Sequence, residues 1–155
     1  MNAVSFRTMT PGDLEAVAAL TRRADPFGWT LRNYADAIAA DNTLTVMLDG
    51  DCIIGVSAVM HVIDESELLE IAVDPQFQGK GLGKQLLRVT MDAAKRNGAS
   101  RMFLEVRVSN DRARKMYTSF GFSETGRRKN YYPTENGRED AILMMADPIN
   151  TQHTN

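Results

Sequence analysis

Three glycines on alternate positions interrupt an apolar stretch in AVDPQFQGKGLG, residues 72–83, and a helical pattern follows them. Glycine lets a backbone approach a ligand closely, and a helix N-terminus presents free N–H groups with the positive end of its dipole. The chemistry this suits is the holding of an anion such as a diphosphate. A P-loop would need glycine where Gln78 stands, and Ser or Thr where Gln85 follows Gly83-Lys84. A dinucleotide fingerprint would need a third glycine where Lys84 follows Gly79 and Gly81, or where Leu86 follows Gly81 and Gly83. What remains is Gln78-x-x-Gly81-x-Gly83, an anion cradle or a plain strand-to-helix turn. Two further side chains stand out. Glu105 is a charged residue in the otherwise apolar FLEVRV, and Tyr117 lies in the helical segment after it.

The elements that must position these groups are marked by their own signals. VSFRTM alternates as a strand, and Thr10, Pro11 and Asp13 read as an N-cap, a first helical position and a capping partner for a helix to Ala24. Thr30 caps a second helix reaching Ala40, with Leu31, Tyr34, Ala35 and Ile38 on one face. TLTVML and CIIGVSAVMHVI are strands joined by Asp49-Gly50, which suits a tight hairpin. DESE reads as an acidic turn before the strand LLEIAV. Residues 82–97 bury Leu86, Leu87, Val89, Met91 and Ala94, and Gly98 ends that helix. RMFLEVRV is a strand, NDRARKMYTSF a helix stopped by Gly121, and EDAILMM a last strand. The order β-α-α-β-β-β-α-β-α-β-β predicts a single α/β domain over residues 1–147, with a mixed, mostly antiparallel central sheet flanked by helices. The polar tail from Pro148 is expected to be disordered.

With 155 residues, 43% hydrophobic and 25% charged, the chain suits one domain able to bury about two thirds of its unfolded surface. A net charge of −2 provides no general basic field for nucleic acid or an anionic membrane. The one cysteine, Cys52, lies in an apolar run and is expected to be a buried thiol. His61 and His153 lack companions at metal-ligand spacing, so no metal is predicted, and the nine methionines are expected to fill core gaps. MNAVSFRT lacks a basic segment leading into an apolar one, and residues 52–63 are too short to span a bilayer, which predicts a cytoplasmic protein.

LLEIAVDPQFQGKGLGKQLL resembles the coenzyme A loop of the GNAT superfamily of N-acetyltransferases, in which a strand runs through Gln/Arg-x-x-Gly-x-Gly/Ala into a helix. LEVRVSNDRARKMYTSFGF and RKNYYPTENGREDAILM are similar to its ribosomal-protein alanine N-acetyltransferase branch, and the resemblance spans residues 68–144. The FGWT loop, with Trp29, also resembles that branch's first-helix region. This implies a GNAT fold and acetyl-CoA as co-substrate. Ile71, Ala72 and Val73 would lie along the pantetheine arm, with the Val73 N–H near the thioester carbonyl. The amides of Gly79, Lys80, Gly81, Leu82, Gly83 and Lys84, following Gln78, would take the diphosphate, and Asn110 would reach the pantetheine. Asn110 before Asp111 is also a good helix cap. Lys80, Lys84 and Arg112 could neutralise phosphates or face solvent.

By the same resemblance Glu105 accepts the ammonium proton and the Tyr117 phenol protonates the leaving thiolate. The competing readings are a surface strand position paired with Arg107 or Arg101 for Glu105, and core packing with Phe120 and Phe122 for Tyr117. Glu67 is a rival base, at the place where lysine-acetylating relatives carry their glutamate, although DESE reads as a solvated turn. Tyr131 and Tyr132 resemble the pair flanking the acceptor peptide, unless they belong to a loop anchored by Pro133. Arg127-Arg128-Lys129 is a weak signal for RNA, and no direct nucleic-acid or membrane partner is expected. The expected activity is acetyl transfer to the α-amine of a protein N-terminus, the N-terminal alanine of a ribosomal protein above all. A lysine or small-amine acetyltransferase and a non-catalytic acyl-CoA sensor are the alternatives, and a sensor would have no use for Glu105 and Tyr117 together.

Overall fold

The structure is a computed structural model that describes residues 3–149. Its strands are β1 (Ser5–Thr8), β2 (Thr43–Asp49), β3 (Cys52–Val62), β4 (Glu65–Val73), β5 (Arg101–Arg107), β6 (Ser123–Thr134) and β7 (Gly137–Ala146). Its helices are α1 (Leu14–Ala24), α2 (Leu31–Ala39), α3 (Leu82–Arg96) and α4 (Asp111–Ser119). In the strand order β1-β2-β3-β4-β5-β7-β6, β4 pairs with β5 in parallel. The expected order of elements and the mixed, mostly antiparallel sheet are both present. The chain divides into two compact units, Met1–Met60 with Leu69–Thr90, and His61–Leu68 with Met91–Asn155.

In the first unit, α1 starts where the capping signals place it. Asp13 accepts the Thr10 N–H at 2.8 Å and pairs with Arg7 at 2.7 Å, and that guanidinium above all holds the buried carboxyl down at about 2. One core cluster joins Val17 and Leu20 of α1 and Tyr34 and Ala37 of α2 to Leu44, Val46 and Leu48 of β2. A second gathers Met47, Ile54, Leu82 and Leu86. Met47 alternates with its neighbours in β2, as a strand with two covered faces requires. Leu31 does not join the apolar face expected of α2: it is 40% exposed, and Ala37 takes a buried place instead. Cys52 is exposed rather than buried, because it opens β3 beside the Asp49-Gly50 turn, before that strand enters the core.

In the second unit, β5 alternates cleanly, burying Met102, Leu104 and Val106 and turning Phe103, Glu105 and Arg107 to its other face. DESE is not a turn. Ile63 at φ 57° and Asp64 make the turn, and Glu65, Ser66 and Glu67 belong to β4. Ile149, within the tail expected from Pro148 onwards, is buried and its N–H donates to the Ser100 carbonyl at 2.9 Å. Residues 150–155 of that tail lie outside the described residues.

Candidate active site

The glycine loop lies in the first unit between the end of β4 and α3. Asp74 caps a short 3-10 turn, Pro75–Phe77, by accepting the Gln76 N–H at 3.0 Å, and pairs with Arg23 of α1 at 2.7 Å. Burial pushes this carboxyl up, but the Gln76 N–H and the Arg23 guanidinium outweigh it and leave Asp74 below its ordinary range. Gln78 then turns back, its side-chain amide donating to the Val73 carbonyl at 3.0 Å. Gly79 and Gly81 have φ of 80° and 78°, the left-handed region that a side chain disfavours. A Cβ on Gly81 would meet nothing within 4 Å, so the glycine is needed for its backbone angle and faces open space.

Beyond it, the Gln85 N–H donates to the Gly81 carbonyl, while helix geometry leaves the amides of Leu82, Gly83 and Lys84 without an intrahelical acceptor. That first turn fits a diphosphate. Lys80, with its ammonium 5.5 Å from the centre of the Phe77 ring, adds positive charge to the same loop. Gly81→Val is expected to abolish the thermal stabilisation that coenzyme A confers, since valine strains this angle by about 1–2 kcal/mol and so displaces the loop that leads into these amides. Unchanged stabilisation would reject the loop as the coenzyme site.

The second unit assembles carboxylates. Glu67 pairs in register with Phe103 across the parallel β4 and β5, so Glu67 and Glu105 share a sheet face. Glu67 is half-buried; desolvation first, and then the nearby Glu105 charge, raise its pKa against the pull of Arg128. Arg107 and Arg101, the partners considered for Glu105 from the sequence, pair with other carboxylates. The Glu105 carboxylate meets Arg128 of β6 at 3.3 Å, while Arg101 pairs with Glu65 and Arg107 with Glu139.

Arg128 also lies over the Tyr131 ring, with its guanidinium 5.2 Å from the centroid. Arg107 covers the Tyr132 ring at 4.6 Å and donates to the Pro133 carbonyl at 2.7 Å. Adjacent strand residues ordinarily point apart, yet the two tyrosine rings meet edge-on at 5.0 Å. A register shift between Arg128 and Tyr132, with Asn130 at φ 51°, brings them together. Glu139 braces this hairpin: it accepts the Ser109 N–H at 3.0 Å and pairs with Arg107 at 3.3 Å, and Ser109 above all holds its carboxyl below the usual range.

Tyr117 is 6% exposed and packs edge-on against Phe122 at 5.7 Å, so the packing role weighed for it is present. Asn110 caps α4, its side chain accepting the Ala113 N–H at 3.2 Å. Trp29 is half-buried in the first unit, edge-on to Tyr34 at 5.1 Å. Ile71, Ala72 and Val73 are half-buried at the end of β4. Asp74 and Glu139 had no assigned role in the sequence, and Arg107 entered it as a possible partner of Glu105, not as the cover of Tyr132. Only Asp74, followed by Pro75, carried a local capping signal.

Residues 14–122 match the Acetyltransferase (GNAT) family. The chain is 39% identical over 145 residues to the [ribosomal protein bS18]-alanine N-acetyltransferase of Escherichia coli (strain K12), covering 93% of this chain and 96% of that one. The crystal structure of the ribosomal-protein-S18-alanine N-acetyltransferase from Escherichia coli superposes with a TM-score of 0.89 at 35% identity, over 99% of this chain and 98% of that one. A GNAT family acetyltransferase from Elizabethkingia anophelis with acetyl-CoA bound superposes with a TM-score of 0.75 at 26% identity, over 95% and 99%.

Proposed function

Because the chain belongs to the acetyltransferase (GNAT) family, we propose that it transfers the acetyl group of acetyl-CoA to the α-amine of a protein N-terminus, specifically the N-terminal alanine of a ribosomal protein. The observation that carries this reading is the likeness to a bS18-alanine N-acetyltransferase over 93% of the chain, which includes every residue assigned a role below. Acetyl-CoA supplies an activated thioester. The amides of Gly79 to Lys84 hold its diphosphate, and the Val73 N–H polarises the carbonyl. Glu105 takes the proton from the incoming ammonium, directly or through water. The amine nitrogen forms a bond to the carbonyl carbon, the carbon–sulfur bond breaks, and Tyr117 gives its proton to the sulfur. Tyr131, Tyr132 and Trp29 receive the acceptor chain. The reaction belongs to the cytoplasm. Arg127 and Arg128 are engaged by Glu124, Asp140 and Glu105, which argues against direct nucleic-acid binding by that stretch.

An α-amine titrates near 7.7–8.0 and a lysine at about 10.4, so near neutral pH deprotonation costs roughly 0.5–1 kcal/mol for the first and about 4 for the second. A single glutamate suits the smaller demand. The half-buried Glu67, at the place where lysine-acetylating relatives keep their glutamate, favours a lysine acceptor as the second reading. The two are separated by thiol release from acetyl-CoA with peptides of one sequence that begin Ala-Arg and contain an internal lysine, one with a free N-terminus and one blocked. The free peptide is expected to be used strongly in preference. Equal or better use of the blocked peptide would overturn the α-amine reading.

A further inference from the structure

Glu70 lies on β4, between Glu67 and the glycine loop in sequence, and no role has been given to it so far. Leu69 and Ala72 pack against one core cluster, and Ile71 and Val73 against the other. Strict alternation would put Leu69 with Ile71, so the pleat of β4 breaks at Glu70 and Ile71. At that break the Ile71 N–H donates to Glu70 Oε1 at 3.0 Å, and the Trp29 N–H donates to Oε2 of the same carboxylate at 3.0 Å. The approach of the loop is close. A Cβ on Gly28 would lie 2.9 Å from Thr21 Cγ2, 3.2 Å from the Asp25 carbonyl oxygen and 3.3 Å from Glu70 Oε2. A side chain here would press on Thr21 and on the carboxylate itself, so glycine eases the approach that lets the carboxylate reach the next residue's amide.

We propose that Glu70 is a positioning residue for the acceptor, clamping the Trp29 backbone to the break in β4 through its two carboxylate oxygens. The proposal rests on the reading of Trp29 as an acceptor contact and adds what holds Trp29 in place. The clamp needs the ionised group, because a protonated carboxyl turns one of its two acceptors into a donor facing an N–H. Burial is the main force pushing this carboxyl up to about 7, with Asp25 adding to it and the Trp29 and Ile71 N–H groups pulling the other way. Besides Asp25, the carboxylate interacts electrostatically with the Tyr34 phenol, which shares a 2.6 Å hydrogen bond with the Thr21 hydroxyl and is pushed up by burial first and then by Glu70, and is therefore neutral in this range. The clamp is closed above neutrality and opens as pH falls through 7.

Trp29 is the one tryptophan of the chain, so its emission reports this loop without a label. A titration between pH about 5 and 9 is expected to show one transition with its midpoint near 7 in the unmodified protein and none in Glu70→Gln, whose amide can accept only one of the two N–H groups. Glu70→Gln is also expected to raise the acceptor KM about tenfold, the effect of one lost charge-assisted hydrogen bond, while coenzyme A still stabilises the variant thermally. A transition that persists in Glu70→Gln, or an unchanged acceptor KM, overturns the proposal. Trp29→Ala separates it from the reading beneath it: a raised KM in Glu70→Gln with a normal KM in Trp29→Ala keeps the clamp and removes Trp29 as the acceptor contact. If Glu70→Gln does not fold, Glu70→Asp keeps the charge on a shorter arm and is expected to shift the midpoint, and an unshifted midpoint counts against the clamp.

Discussion

Glu105→Gln is expected to lower turnover by about 10²–10⁴-fold, the range for removal of a positioned proton acceptor, and to lower it most below the pKa of the acceptor amine. The loss should be partly recovered as pH rises, because the amine then arrives already deprotonated. The structure sharpens the comparison with Glu67. Both carboxylates lie on one face of the β4–β5 pair, and the Arg128 guanidinium pairs with Glu105. Glu67 is raised by burial and by Glu105, so it holds its proton more tightly than an exposed glutamate. Stopped kinetics of both glutamine variants across pH, with one acceptor peptide, separate the roles. If Glu67→Gln shows the steep loss with recovery and Glu105→Gln does not, the base has been assigned to the wrong strand.

Tyr117→Phe carries the second large effect. The ring is nearly buried against Phe122, so phenylalanine keeps the packing and removes only the hydroxyl. If that hydroxyl protonates the thiolate, turnover falls by about 10²–10⁴-fold with little change in melting temperature. Near-normal turnover in a folded variant would leave Tyr117 with its core role alone. The measurement is steady-state thiol release alongside thermal unfolding of the same preparation.

The parts of the site that were legible in the sequence are those whose physics is local. Gly79 and Gly81 stand where the backbone adopts positive φ, Asn110 caps its own helix, and Asp49-Gly50 closes a hairpin with Gly50 at φ 62°. The errors came where a distant partner or a neighbouring turn decides. DESE is acidic enough for a loop, but Ile63, 95% exposed, takes the left-handed corner and leaves Glu67 in the strand. The partner of Glu105 is Arg128, distant in sequence and brought near by the pairing of β6 with β7 and of β7 with β5. Glu70 carries no local signal within LLEIAV, and its two backbone contacts depend on a break in the pleat and on a loop that Gly28 allows to come close.

The most direct test of the central claim is fragment-ion mass spectrometry of a peptide beginning Ala-Arg, with an internal lysine, after incubation with the protein and acetyl-CoA. One added acetyl group on the α-nitrogen of the first residue is the predicted result. An acetyl group found only on the lysine, or no acetylated peptide while coenzyme A binds normally, would contradict it.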